Sequence, residues 1–381
     1  MTEPTDPTEA SIELLRQQLD ALDEELMARV AARMDIVAQI GELKAAQGRT
    51  VFDREREKVV LERAASRAAS VGLEPAVGQA LMHTLIEASH RLQQATLDRR
   101  RTEPESPRRI LILGGRGLMG RLFCPAFAQR GHDVTVLDKG DVLDPHAIAR
   151  ADVVMLAVPM ALAADLARQV GPHLRPDALL CDINSLKQEV CEAFAETCAG
   201  ESLGTHPMFG PTVQTMRRQK MVFCPVRTGP MATWLIEELG QMGLELIETS
   251  PSTHDRMMAV VQVLVHFRTL VMGEALRQTG VSIAQSLAFT SPIYRLELAV
   301  VGRLFDQDPD LYAEIEMQNP YGDEVRQTFL GAARSMAEIV ERRDREEFRD
   351  AFEAIRGYFD GFTAEAMALS DYIIEALVAR A

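Results

Sequence analysis

The chain has 381 residues, 47% of them apolar and 25% charged, with a formal net charge of −15. That length holds two or three domains, and the composition is that of a globular protein with ample residues for a core. The acidic balance excludes a general binder of nucleic acid or anionic membranes, since the summed field repels polyanions, and no apolar run approaches the roughly 18 residues of a membrane span.

From Glu9 to Ala46, apolar residues including Ile12, Leu15, Leu19, Leu22, Leu26 and Val37 recur at helical spacing without a proline, which predicts one very long helix. Two more helical patterns, Asp53 to Val71 and Pro75 to Arg99, are parted by Gly72-Leu73-Glu74. Residues 1–101 are therefore expected as an all-α domain. Residues 102–107 lie in the charged, proline-bearing stretch DRRRTEPESPRR and read as a linker. After it, short apolar runs at Ile110–Leu113, Val134–Leu137, Val153–Val158 and Ala178–Cys181 alternate with helical stretches. Weaker runs follow at Ser202–Leu203, Met221–Cys224 and Leu244–Ile247. The alternation predicts a parallel sheet with crossover helices, a Rossmann-type α/β domain over residues 108–252. Strand signals then stop, and residues 253–381 read as a second all-α domain for substrate binding and dimerisation.

The five cysteines form no C-x-x-C pair and no signal-like apolar segment precedes them, so reduced thiols in a cytoplasmic protein are expected. The histidines lack ligand spacing, so no metal is expected.

Two motifs carry chemistry. In GGRGLMG, the glycines Gly115, Gly117 and Gly120 form G-x-G-x-x-G between a strand and a helix, with Leu118 and Met119 filling the turn and Asp138 ending the next strand. Gly115 is expected to permit the tight turn, Gly117 to let backbone approach a pyrophosphate, and Gly120 to let helix pack on sheet. Asp138 would accept from ribose hydroxyls, which favours NAD over NADP; the adjacent Lys139 is either a moderating cation or a solvated charge. In GTHPMFGP, Pro207 and the Gly210-Pro211 turn place His206 on an expected stiff loop, where an imidazole can serve as a base near neutral pH.

GTHPMFGP, with INSLK at Ile183–Lys187 and SPIYRLELAVVGRLFDQDP at Ser291–Pro309, resembles prephenate dehydrogenase across residues 108–381. The front end resembles the all-α class of chorismate mutase through Arg16, Arg33, Lys44, Asp53, Arg56, Glu57, Ser89 and Gln93. Together they are similar to the bifunctional chorismate mutase–prephenate dehydrogenases of bacterial tyrosine biosynthesis. The resemblance implies that His206 takes the proton of the prephenate 4-hydroxyl as hydride leaves for NAD. It implies Ser185 beside the same hydroxyl, unless that serine only caps a helix, and Arg303 on the ring carboxylate. Arg295, about 12 Å earlier on the same helix, is a second candidate or a structural ion pair. His254 and His266 also match family histidines; His266 is implied in substrate binding and tyrosine inhibition, with a core histidine as the competing reading. For the mutase, Arg16, Arg33 and Arg56 are implied on the carboxylates and Lys44 and Gln93 at the ether oxygen. Asp53, Glu57 and Ser89 are implied as supporting polar contacts.

Helical geometry adds that Arg33 and Lys44 share one face at about 16 Å, whereas Arg16 lies about 25 Å up the helix and off that face. Arg16 is thus a surface residue or reaches the pocket of a partner chain, and the length of the helix favours an intertwined homodimer. Rival readings are a dehydrogenase for another small acid with a non-catalytic front domain, an NAD-holding sensor, and arogenate in place of prephenate.

Overall fold

The computed structural model describes residues 7–46, 54–100, 106–213 and 215–378. The chain clusters into two compact units, Met1–Pro107 with Phe127–His132 and Arg108–Ala126 with Asp133–Ala381.

The first unit is built on three helices, α1 (Pro7–Ala46), α2 (Arg54–Ser70) and α3 (Pro75–Arg100). α2 ends in a Schellman turn: Gly72 takes φ +82°, Leu73 N–H reaches Ala68 O at 2.9 Å and Gly72 N–H reaches Ala69 O at 3.2 Å. Pro75 then starts α3 where a missing N–H costs nothing. Glycines set the helix spacing: a Cβ on Gly78 would lie 2.5 Å from Ala64 O, and one on Gly41 would lie 3.1 Å from Gln93 Cγ. Only the C-terminal half of α1 buries its stripe, at Val37 and Gly41. Upstream, Leu15, Leu19 and Leu22 are each about 60% exposed, so that half has no apolar cover within the described residues of this chain.

The second unit opens with β1 (Arg109–Leu113), α4 (Gly120–Ala128), β2 (Asp133–Leu137), α5 (Pro145–Arg150), β3 (Val153–Leu156), α6 (Met160–Val170), β4 (Leu179–Asp182), α7 (Gln188–Thr197) and β5 (Glu201–Pro207). β6 (Lys220–Arg227), α8 (Pro230–Gln241) and β7 (Glu245–Glu248) complete a sheet of order β2-β1-β3-β4-β5-β6-β7. β1, β3 and β4 are buried on both faces, hence their unbroken apolar runs. Leu111, Leu113, Val154, Leu156 and Leu180 form one face of the core with Ala167 of α6 and Phe194 of α7.

Two expectations are corrected. The sheet is not wholly parallel, because β5 and β6 are antiparallel: among its described residues, the segment joining them contains no crossover helix. His206 is not on a loop but in β5, paired with Val222 and 3% exposed. Pro207 is tolerated there because Met208 N–H donates to Lys220 O at 2.9 Å. By the two-residue alternation of a strand, the Pro207 nitrogen therefore faces the β4 side, where pairing has already stopped at Leu203.

The rest is helical: α9 (Pro251–Met258), a π-helical segment (Ala259–Leu264), α10 (Val265–Gln278), α11 (Ile283–Leu287), α12 (Pro292–Phe305), α13 (Pro309–Gln318), α14 (Gly322–Arg342), α15 (Arg345–Tyr358) and α16 (Thr363–Val378). Pro251–Gln278 is one continuous 28-residue helix, long and apolar enough to cross a membrane by length and composition. It carries a buried His254–Asp255 pair and packs against α12 and α14, as a core helix does. α15 buries no residue, and Phe352 and Tyr358 of α15, Phe362 in the turn after it and Tyr372 of α16 stand exposed.

Candidate active sites

At the carboxyl ends of β4 and β5 the chain gathers a line of buried polar groups. Gly204 permits it: a Cβ there would lie 2.5 Å from Cys191 Sγ and 3.2 Å from Lys187 Cδ, so its absence lets α7 settle on β5. His206, two residues on, projects from the same face. Its Nδ1 lies 2.9 Å from His254 Nε2, and His254 Nδ1 lies 2.7 Å from Asp255 Oδ1. Asp255 also accepts the first free N–H groups of α7, Lys187 N–H at 2.8 Å and Gln188 N–H at 2.9 Å. Asn319 Nδ2, from the break between α13 and α14, holds the Asp255 carbonyl at 2.9 Å. Burial, with His254 and Lys187 adding to it, pushes the His206 imidazole well below its ordinary range. The ring is therefore neutral at pH 7 and keeps one acceptor nitrogen.

Beneath this line, Lys187 and Asp182 form an ion pair with no exposure to solvent. Lys187 Nζ also donates to Thr205 O at 2.8 Å, while Asp182 accepts Thr205 N–H at 3.1 Å and Asn184 N–H at 3.0 Å. Burial pushes the Asp182 carboxyl up, against the opposing pull of Lys187 and the two backbone donors. Lys187 is thus a buttress between β4 and β5, not a free cation for substrate. Ser185, half-buried, sits on the loop from β4 to α7, the same loop that this pair anchors.

The glycine turn lies where the sheet order changes direction between β1 and β3, the usual place for a nucleotide. The positive φ of the turn falls on Gly114, at +85°, and not on Gly115 as expected. Gly114 turns beneath Ala157 O, which a Cβ would strike. Gly115 instead packs on Val136, 2.7 Å from where its Cβ would be, and a Cβ on Gly120 would lie 2.5 Å from Gly115 Cα. Gly117 is exposed at the mouth, between Arg116 and Leu118, with Met119 half-buried behind. Asp138 Oδ2 accepts Arg116 N–H at 2.9 Å, so strand end and turn are tied together. The Arg116 side chain is drawn to Asp141 at 2.8 Å, leaving a carboxylate at the ribose position, as a diol requires. These residues fit a dinucleotide: a turn whose glycines lack Cβ atoms at its closest backbone approaches, the N-terminus of α4, and an acid at the end of β2.

Of the predicted substrate cations, Arg303 on α12 donates to Thr212 Oγ1 at 3.2 Å, which brings it to the loop that follows β5. Tyr312 lies in the same neighbourhood: burial raises its hydroxyl, and Arg303 opposes the rise. His266 packs edge-on to Tyr312 at 4.9 Å, and its buried Nδ1 has no hydrogen-bond partner. Burial lowers the His266 imidazole. Arg303, Tyr312 and His266 thus form one group, while Arg295, two turns earlier on α12, is exposed.

In the first unit, Arg33 Nη1 donates to Ser89 Oγ at 2.7 Å and to Leu85 O at 3.2 Å, joining α1 to α3. Gln93 lies one turn past Ser89, against Gly41, and half-buried Lys44 is three residues beyond Gly41. Arg33, Lys44, Ser89 and Gln93 therefore line the seam of α1 and α3. Burial lowers the Arg33 guanidinium. From α2, Glu57 meets His90 Nε2 at 3.0 Å, and Arg56 is exposed. Arg16 stands apart on the uncovered half of α1, paired with Glu13 at 3.6 Å. Asp53 lies outside the described residues.

Sequence reasoning missed Asp182, Asp255 and His90. Asp255 follows a histidine that was noticed, but nothing in a separation of 48 positions announces that His254 meets His206.

Comparison with known proteins gives three family matches in chain order: chorismate mutase type II over residues 15–94, the prephenate dehydrogenase nucleotide-binding domain over 125–239, and the prephenate dehydrogenase dimerization domain over 250–354. The chain is 32% identical to the T-protein of Haemophilus influenzae over 362 residues, 95% of this chain and 96% of that one. It is 33% identical to the T-protein of Enterobacter agglomerans over 352 residues, 92% of this chain and 93% of that one. Its fold is similar to that of prephenate dehydrogenase from A. aeolicus in complex with hydroxyphenyl propionate and NAD+, with a TM-score of 0.53, 18% identity, and coverage of 67% of this chain and 98% of that one.

Proposed function

The chain belongs to the bifunctional T-protein family, chorismate mutase joined to prephenate dehydrogenase, and from that premise we propose how its residues divide the work. It rearranges chorismate to prephenate and oxidises prephenate with NAD to 4-hydroxyphenylpyruvate, in tyrosine biosynthesis. We assign the mutase to residues 1–101, a linker to 102–107, the NAD-binding domain to 108–252 and the helical domain to 253–381.

The rearrangement transfers no proton; it breaks a C–O bond and forms a C–C bond. Its catalyst must hold two carboxylates and stabilise charge growing on the ether oxygen. The seam of α1 and α3 supplies Arg33, Lys44, Ser89 and Gln93 for this. Arg56, Glu57 and Asp53 complete the pocket by family likeness, and Arg16 serves the pocket of a second copy. The uncovered apolar half of α1, and the exposed aromatic residues of α15 and α16, support a homodimer.

In the oxidation, the glycine turn and Asp138 hold NAD, which supplies the hydride acceptor when bound. His206 accepts the proton of the 4-hydroxyl as that oxygen becomes a carbonyl, and the ring carboxylate leaves as CO2. Ser185 orients the hydroxyl, while Arg303, with His266 nearby, holds carboxylate; Arg295 is the second candidate. The observation that carries this reading is the imidazole of His206, buried at the end of β5 and 2.9 Å from His254. Prephenate is the substrate we assign over arogenate, tyrosine the inhibitor acting within the dehydrogenase domains, and the cytoplasm the place of action.

The test is incubation with chorismate and NAD, following prephenate, 4-hydroxyphenylpyruvate and NADH. His206→Asn is expected to abolish NADH formation and leave prephenate formation intact. Loss of both activities together, in a folded protein, would refute the division of labour. Unchanged NADH formation on adding tyrosine would refute the inhibition.

A further inference from the structure

A neutral imidazole can be a base at only one of its nitrogens, and which one depends on where its single hydrogen sits. In this chain the choice is not made by His206 itself. The Asp255 carboxylate has no hydrogen to offer, and its oxygens already accept the Lys187 and Gln188 N–H groups. Across the 2.7 Å contact, His254 Nδ1 must therefore carry the hydrogen. A His254 that carries only that hydrogen has an acceptor at Nε2, and across the 2.9 Å contact His206 Nδ1 is then the donor. The hydrogen of His206 is thereby fixed on Nδ1, and its lone pair on Nε2.

We propose that Asp255 is a positioning residue for the oxidation, setting the tautomer of His206 through His254 so that Nε2 is free to receive the substrate proton. This rests on the reading of His206 as the base. The base is carried by the sheet, whereas the two residues that set its tautomer are carried by α9, at the start of the helical segment. Docking of α9 onto the N-terminus of α7 is what makes the imidazole competent. Asp255 serves both ends of that contact, because the same carboxylate caps α7 and orders the two rings. It has a second effect once the proton moves. Protonation by the substrate hydroxyl turns His206 into an imidazolium in a site closed to water, and Asp255 is the counter-charge two contacts away. Lys187, the nearby cation, opposes the imidazolium and is itself paired with Asp182.

Asp255→Asn tests the proposal with little change of shape. The amide can donate to His254 Nδ1, which reverses both hydrogens and leaves His206 Nε2 protonated. The expected result is a fall in kcat for prephenate oxidation of about 10²- to 10⁴-fold, as when a base is held in the wrong tautomer. KM for NAD and the mutase rate should stay within about threefold of the parent. Because Asp255 also caps α7, a second pair guards against a folding defect. His254→Gln retains an acceptor for His206 Nδ1–H and should keep most of the activity, whereas His254→Leu should lose it to the same extent as Asp255→Asn. Nitrogen NMR of histidine-labelled protein should show His206 protonated at Nδ1 in the parent. Oxidation within threefold of the parent in both Asp255→Asn and His254→Leu, with His206→Asn inactive, would overturn the relay and leave His206 as the base. Full oxidation by His206→Asn would overturn the underlying assignment instead.

Discussion

The buried pair beneath the site offers the sharpest test of the packing argument. Lys187→Met preserves the aliphatic stem but removes the ammonium, leaving the Asp182 carboxylate closed to solvent with only the N–H groups of Thr205 and Asn184 as donors. Both partners are fully buried, so no solvent screening softens the loss. Breaking such a pair from one side costs about 3–5 kcal/mol, because the remaining charge is uncompensated. Trp234, on α8, is the single tryptophan of the chain, so its fluorescence in urea reports the second unit without interference. Lys187→Met should lower that transition by about 3–5 kcal/mol. Asp182→Asn combined with Lys187→Met should recover part of it, since no charge remains, although the single amide oxygen can accept from only one of the Thr205 and Asn184 N–H groups. A loss below about 1 kcal/mol in the single variant, or a double variant no more stable than the single, would refute the reasoning.

Stability should also depend on pH through the histidines. His206 and His266 are both depressed in the folded state, so the unfolded chain binds more protons once pH falls below about 6.5, and stability should drop from there by up to about 1.4 kcal/mol per pH unit for each. Urea titrations between pH 7 and 5 check the slope, and a flat profile contradicts it. Arg33→Ala should reduce mutase kcat/KM by about 10²- to 10³-fold while added prephenate is oxidised at the parent rate, measured in two separate assays. Asp138→Ala should weaken NAD about tenfold or more, the worth of a hydrogen bond to a charged group, with NADP affected less; equal losses for both in a binding titration would count against the ribose role.

Local chemistry made much of the architecture readable. The spacing of Ile12 to Ile40 predicts α1 because amphipathic period is a property of a single segment, and apolar runs mark β1, β2, β3, β4, β6 and β7 for the same reason. The glycine motif was legible because each glycine answers a local steric demand, although the positive φ proved to belong to Gly114. His206 was legible as a base only through the family resemblance carried by GTHPMFGP. Its placement in β5 was not, because whether Pro207 can sit in a strand depends on which side of the ladder its nitrogen faces, and that depends on where β4 stops.

What the amino-acid order determined alone, then, is the class of each region, the long first helix and the glycine turn. What only the tertiary structure decided is which distant groups meet: Lys187 with Asp182 under the sheet, Arg33 with Ser89 across two helices, and His206 with His254 and Asp255. Periodicity and turn sterics act over a few residues and leave a trace in sequence, whereas a hydrogen bond across 48 positions exists only after the backbone has folded both partners into place.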